Sequence, residues 1–395
     1  LAAAAPTAAV AVPLAEALGL HLAADVVAAE ALQPFDNSAM DGYAVRAADL
    51  AGATAAAPAV LDLVGESSAG HPATAAVGAG EAIAISTGAV VPDGADAVVR
   101  VEDTARAAAG VEFHVAPARG ANVRRAGEDV AAGETVLRRG ERLEPAALAV
   151  LAALGIETAS CHRRPGVAVV VSGDELVPAG EPVPPGGIRD SNSTLLAGLI
   201  ARQGAALHRV GRAGDSLAAT VAALEPATAA DVVLVCGGIS VGAHDHVKAA
   251  FEQLGVEQRF WRIALRPGGP AYFGTRDGQL VFGLPGNPVS VFATFTLLVA
   301  PALAALAGGS PERRRTTATL TAPYEKTTER AEAVRCGLEL TAAGWSATPR
   351  PRQGSHVLTS LLGADCLALI PPAARRLEAG ARVEIELLDQ ANLGR

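Results

Sequence analysis

Five acidic residues stand where strands should end. They are Asp174 and Glu175 after Val167–Gly173, Asp190 in Arg-Asp-Ser-Asn192, Asp215 after Ala-Gly, and Asp245. Carboxylates at the carboxyl edge of a sheet can hold Mg²⁺ through one or two oxygens, with substrate phosphates completing its shell. Asp190 and Asp215 fit helix caps equally well, because Asn192, Ser193 and Ser216 each open a helical run. His244 and His246 flank Asp245, but no cysteine or third histidine is spaced to complete a zinc site. That pair reads as a solvated loop. Two glycine-bearing loops lie nearby, Gly237-Gly238-Ile239-Ser240-Val241-Gly242 and Pro285-Gly286-Asn287-Pro288. Bare amides there would let an anion approach the backbone.

These residues need a sheet to hold them. Asp231–Cys236 is an unbroken apolar run with polar neighbours, the pattern of a strand buried on both faces. Residues 246–254 have helical spacing, and Leu280–Ser290 repeats the strand, loop, helix order. Across 165–309, strands at 167–171 and 206–210 alternate with helices at 193–203 and 216–224. That alternation predicts a parallel sheet with helices on both faces. Residues 44–128 instead show short alternating runs (59–64, 81–86, 98–101, 111–115) separated by Gly, Pro and Asp. Alternation returns at 317–321, 333–336, 366–370 and 383–387. Val12–Gly19 and Pro145–Leu154 carry helix start and stop signals. The expected fold is multidomain α/β plus β. A discontinuous helical or linking domain spans 1–30 with 130–164, and an inserted β domain spans 31–129. A doubly wound α/β domain covers 165–309 and a C-terminal β domain 310–395.

Gly-Gly-Ile-Ser-Val-Gly followed by Gly-Leu-Pro-Gly-Asn-Pro-Val-Ser resembles the molybdopterin-binding domain of the molybdenum-cofactor enzymes. With Phe35-Asp-Asn-Ser-Ala-Met-Asp-Gly-Tyr-Ala44, essentially the whole chain resembles the molybdopterin molybdenumtransferase family, MoeA-type proteins that include the C-terminal domain of gephyrin. The resemblance implies that Gly237, Gly238, Ser240, Gly242, Pro285, Gly286, Asn287 and Pro288 bind the substrate, with Asp215 nearby. It implies that Glu175 and Asp245 serve Mg²⁺ or pyrophosphate cleavage. By the same resemblance, Asp41, Thr87 and Asp129 complete the active site from a neighbouring subunit, so a homodimer with composite sites is expected. The bare turn chemistry of 36–42 would equally make it an Asx-rich turn.

The segment Arg262–Pro270 resembles the family's molybdate-binding loop, and Arg266, Pro270, Arg335 and Ser355 match its molybdate positions. Guanidinium groups and amides suit a tetrahedral oxyanion. Gly269 stands where the family commonly has a second molybdate-binding lysine. A Gly269→Lys change is therefore expected to lower the molybdate concentration needed for half-maximal turnover, unless Arg262 or another arginine already fills that role or the glycine itself is needed for backbone approach, with the loop binding through its amides. The implied activity is insertion of molybdenum from molybdate into adenylylated molybdopterin, with release of AMP. The alternatives are molybdopterin adenylylation, which lacks the flanking β domains, and a non-catalytic gephyrin-like scaffold.

Bulk properties narrow the partners. The formal net charge of −9 argues against nucleic acid or an anionic membrane. Cys161, Cys236, Cys336 and Cys366 are too scattered for a zinc knuckle or redox pair, and four separate thiols fit a reducing cytoplasm. The Ala-rich start has no basic flank, so no secretory signal is expected. The apolar run 289–306 carries Pro301 and reads as a buried helix rather than a membrane span. Lys248 and Lys326 are the lysines; every other basic residue in the Lys+Arg total is Arg.

Overall fold

The computed structural model describes residues 2–108, 110–239, 246–311, 315–326 and 328–388. It divides into two compact units. One is formed by the described residues of Leu1–Ala23, Gly140–Leu143 and Ser160–Arg395, the other by Ala24–Arg139 and Glu144–Ala159.

The first unit is organised on a six-stranded sheet. Its strands are β1 (Gly166–Ser172), β2 (Ala206–Ala213), β3 (Val232–Cys236), β4 (Glu257–Trp261), β5 (Tyr272–Arg276) and β6 (Gln279–Leu284), in the spatial order β2-β1-β3-β6-β5-β4. β2, β1, β3 and β6 run parallel, whereas β5 and β4 are antiparallel additions. The wholly parallel sheet expected from the strand–helix alternation is thus mixed at one edge. The hairpin β5–β6 turns at Asp277-Gly278, both at positive φ (47° and 84°), and a two-residue turn can only return antiparallel.

Helices cover both faces. They are α1 (Asn192–Arg202), α2 (Leu217–Leu224), α3 (Val247–Gln253) and α4 (Pro288–Leu306). Val167, Val169 and Val171 of β1, with Val232 and Leu234 of β3, pack on Leu196, Leu199 and Ile200 of α1 and Val291 and Phe292 of α4. The alternate residues Ala168, Val170, Val233 and Val235 pack on Leu224 of α2 and Val247 and Phe251 of α3. Period-2 side chains buried on both faces explain the uninterrupted apolar strands. Each such Val or Leu contributes about 1.5–3 kcal/mol when fully buried. α4 is long and apolar enough to cross a membrane, but its apolar window is 67 % buried inside the protein, as a core helix requires. A π-helical turn at Phe295–Val299 precedes Pro301, and the wider turn accommodates a ring that would otherwise press on the carbonyl one turn back.

The same unit ends in a β barrel. Arg315–Leu320, Ala331–Thr341, Gly344–Pro349, Cys366–Ile370 and Arg382–Leu387 form its sheet, which closes where Ala331–Thr341 pairs with Cys366–Ile370. Leu265–Arg266 joins its edge, parallel to Ala331–Glu332.

The second unit holds a six-stranded sheet in the order Ala97–Arg100, Gly42–Val45, Glu81–Ile85, Thr54–Ser67, Gly110–Val115, Thr104–Ala107, around Leu50, Leu61, Val99 and Phe113. The helix expected at 12–19 is instead a strand, Ala9–Pro13, and one 3₁₀ turn, Leu14–Glu16. Ala9–Pro13 pairs with the strand ending at His162, and that tertiary pairing overrides the helical composition of the Ala-rich segment. Strands therefore make up much of the region read as helical, and Pro145–Ala153 is its one α-helix among the described residues.

Candidate active site

From β1 the chain moves to β2 on one side and then to β3 on the other. The loops leaving β1 and β3 therefore part, opening a crevice outside the carboxyl ends of the strands. The cavity, about 470 Å³, is lined by Ser172, Glu175, Asn192, Gly237, Gly238 and Pro285–Pro288, with Pro270 at its edge. Gly237 and Gly238 take φ of 90° and 62°. A Cβ on Gly237 would lie 2.7 Å from the Ser172 carbonyl oxygen, and one on Gly238 2.9 Å from Val247 Cγ2. Only glycine permits this close turn. Among the described residues the amides of Gly238, Gly286 and Asn287 donate no hydrogen bond. Such unused amides, Gly238 in the loop after β3 and Gly286 and Asn287 at the start of α4, suit an anion.

Glu175 lines the crevice with its carboxylate folded against Gly173. Asp190 caps α1 instead: it accepts from the Ser193 amide (3.0 Å) and hydroxyl (2.5 Å). Asp215 lies beside Asp174, whose amide approaches it at 3.5 Å, while Ser216 provides the cap of α2. Ser240, Gly242, His244 and Asp245 lie outside the described residues. Asn287 Nδ2 donates to Ser355 Oγ (3.0 Å), and the Val289 amide donates to the Ser355 carbonyl (3.2 Å). Ser355 is thereby brought to the crevice from the barrel. Burial pushes the Cys236 thiol up to about 12, with the Asp190 charge adding to the rise, so it stays neutral and is not a nucleophile.

Sequence reasoning weighed Asn192 only as a helix opener. Its Nδ2 donates to the Gly286 carbonyl (2.7 Å), which fixes Oδ1 on the opposite side. That oxygen is buried in the crevice wall without a partner. A buried acceptor of this kind can receive a hydrogen bond from an N–H or O–H of a bound molecule.

The Arg266–Pro270 loop is tied to the barrel by the Ala331 amide, which donates to the Ala264 carbonyl (2.9 Å). Arg266 approaches the buried Glu332 at 3.4 Å, and Tyr324 (2.7 Å) and Thr328 (3.0 Å) donate to the same carboxylate. Arg335 is fully buried and donates to Ser360 Oγ and to the carbonyls of Arg352 and Gly354. It thus braces the loop carrying Ser355. Burial lowers its pKa. Arg262, a candidate to replace a lysine at 269, takes φ 71° and places its guanidinium over the Trp261 ring at 4.8 Å. Arg330 instead lies over Gly269: a Cβ there would sit 2.5 Å from Arg330 Nη1. Neither Arg330 nor Glu332 carries a motif signal; only the pairing of Leu265–Arg266 with Ala331–Glu332 brings them to the loop.

In the second unit, the Thr87 amide (2.7 Å) and hydroxyl (3.0 Å) donate to Asp41 Oδ1. These bonds, the amide first, hold the Asp41 carboxyl below the usual carboxylate range. Gly42 is required beside it, because any Cβ would collide with the Val99 carbonyl. Asp129 is exposed, and no hydrogen bond joins it to this pair among the described residues.

Residues 1–155 match the MoeA N-terminal region (domain I and II), 168–305 a probable molybdopterin binding domain, and 317–388 the MoeA C-terminal region (domain IV). The chain is 38 % identical over 383 residues to molybdopterin molybdenumtransferase 2 of Mycobacterium tuberculosis, covering 95 % of this chain and 94 % of that protein. It is 35 % identical to the Haemophilus influenzae molybdopterin molybdenumtransferase, covering 94 % and 92 %. The crystal structure of the molybdopterin biosynthesis MoeA protein from Pyrococcus horikoshii OT3 superposes with a TM-score of 0.84 at 32 % identity, covering 98 % of this chain and 97 % of that one. With relatives alike over nearly their full length, and all three regions present in order, this chain belongs to the molybdopterin molybdenumtransferase (MoeA) family.

Proposed function

We propose that this protein inserts molybdenum from molybdate into adenylylated molybdopterin. The observation that carries the reading is the crevice at the strand-order reversal, with its unused amides, opening beside the arginine-bearing Pro-Gly-Gly-Pro loop. One oxo group leaves molybdate as water with the two dithiolene thiol protons, and both sulfurs bind molybdenum. One water is consumed as the phosphoanhydride breaks and AMP departs. The amides of Gly238, Gly286 and Asn287 hold the phosphates, and Arg266, Pro270, Arg335 and Ser355 form the molybdate side. Positioning and charge complementarity do most of this work.

Mg²⁺ fits the donor set. No three His, Cys, Asp or Glu side chains among the described residues form a metal cage, and one crevice carboxylate, Glu175, suits an ion carried on substrate phosphates. The bound ion would neutralise charge on the pyrophosphate. Glu175 would orient it, with Asp245 as its expected companion. Asp41 and Thr87 would complete the site from the other protomer of a homodimer, as the family resemblance suggests. Cys336 and Cys366 are register partners on adjacent barrel strands and are free thiols, with which a reducing cytoplasm is consistent.

The test is AMP release from adenylylated molybdopterin with Mg²⁺, as molybdate is varied. Molybdate-dependent release is expected. No AMP at any molybdate concentration would overturn the enzymatic reading and leave the scaffold.

A further inference from the structure

We propose that Trp261 is a positioning residue that holds the two halves of the site in register: the glycine loop leaving β3 and the Arg266–Pro270 loop. The inference rests on the functional reading above, in which the first loop holds the substrate phosphates and the second the oxyanion.

Trp261 ends β4, directly opposite Tyr272 of β5. The chain between these partners, 262–271, carries Arg266 and Pro270. Its neck is closed by the Arg262 amide, which donates to the Ala271 carbonyl (2.9 Å), and the Ile263 amide, which donates to the Gly269 carbonyl (2.9 Å). From that neck the Trp261 Nε1–H donates to the Ile239 carbonyl (3.1 Å). Ile239 follows Gly238 directly, and its side chain is seated on β6: a Cβ on Gly283 would lie 2.8 Å from Ile239 Cγ1. Among the described residues this is the one hydrogen bond joining 237–239 to 261–271.

The indole ring grips the same neighbourhood. Lys248 Nζ lies 4.5 Å and Arg262 Cζ 4.8 Å from its centroid, within reach of the attraction between a cation and an aromatic face. Lys248 belongs to the first turn of α3, so one side chain holds the chain at both 239 and 248. The ring also packs against the cluster containing Ile239, Val247 and Phe251. Ile239 and Pro270 line the crevice, whereas Trp261 does not. It therefore acts through residues that meet the substrates rather than by meeting them. Two substrates bound on separate loops react only when the loops place them together, and a misplacement of about 1 Å can cost about a hundredfold in rate.

Trp261 and Trp345 are the two tryptophans of the chain. In a Trp345→Phe parent, benzothienylalanine supplied in place of tryptophan enters at 261 alone, keeping both rings and replacing the N–H by sulfur. Trp261→Phe, made in the same parent, is the genetic counterpart. AMP release is measured with molybdate and adenylylated molybdopterin each varied, and molybdate binding is measured by calorimetry. Both proteins should lose about three- to tenfold in maximal rate, as loss of one hydrogen bond implies. Half-saturating concentrations of both substrates and the molybdate affinity should stay within about twofold of the parent, and the melting temperature near it. A maximal rate reduced less than about threefold by the analogue overturns the proposal, even if Trp261→Phe is slow, because packing alone would then explain that variant. Weaker binding of either substrate at an unchanged maximal rate overturns it too, since Trp261 would then serve one half-site only. A parent that releases no AMP in response to molybdate defeats the functional reading, and this inference with it.

Discussion

Replacing Asn192 by leucine separates a structural role from a substrate-reading one. The side chain is 9 % exposed. The substitution deletes the hydrogen bond to the Gly286 carbonyl, a net loss of about 0.5–1.5 kcal/mol, or about 1–3 kcal/mol if the carbonyl is left dry. It also removes an acceptor that is buried with no partner, which relieves a desolvation cost of about 1–3 kcal/mol. Leucine is close in volume, so no large cavity is added. The two polar terms offset, and urea unfolding should place the variant within about 1.5 kcal/mol of the parent. With substrate bound the balance changes. The parent gains a hydrogen bond at Oδ1 that leucine cannot make, so the half-saturating concentration of adenylylated molybdopterin should rise about three- to tenfold. The molybdate requirement should not move. Destabilisation beyond about 3 kcal/mol would show that Oδ1 carried no penalty. An unchanged pterin requirement would show that it never meets the substrate.

Asp245→Asn should cut molybdate-dependent AMP release by at least about tenfold with unaltered unfolding; activity within twofold of the parent removes Asp245 from the reaction. Asp41→Asn and Glu175→Gln variants, each inactive, should recover activity on mixing if the sites cross subunits, and no recovery after verified subunit exchange argues against a shared site. Thr87→Ala should move the Asp41 pKa part of the way back toward 3.8, because the hydroxyl's hydrogen bond is lost while the backbone amide of residue 87 still donates; an NMR titration that shows no upward shift refutes that cause. For Asp231, burial opposes ionisation, but the two-pronged Arg163 contact (2.6 Å each) and the Gly166 amide outweigh it and depress its pKa. Its contribution is present above the unfolded value of 3.8 and fades as pH falls through the lower folded value. Asp231→Asn should therefore destabilise by about 1–2 kcal/mol at neutral pH and by less in acid; equal losses at both would exclude the charge.

The two glycine-bearing loops were legible because their chemistry is local. A strand ending in Gly237-Gly238, or in Pro285-Gly286-Asn287-Pro288, must turn sharply and bare its amides whatever surrounds it. The both-face burial of β1 and β3 was legible for the same reason: an unbroken run of valines has no polar face to expose. Asp190 was legible only as two alternatives, and the hydrogen bonds from Ser193 selected the cap. The residues that tertiary structure decided are those whose roles depend on register between distant segments. Pairing of Leu265–Arg266 with Ala331–Glu332 sets Glu332 against Arg266 and Arg330 over Gly269, and no local pattern encodes that. Read alone, Gly269 looked like a missing charge, and a lysine there looked like an improvement. In the fold the space is already filled by a guanidinium from 61 positions later in the chain, so Gly269→Lys displaces a cation rather than adding one. Backbone torsion and side-chain period are properties of neighbours in sequence; charge balance and steric room belong to neighbours in space.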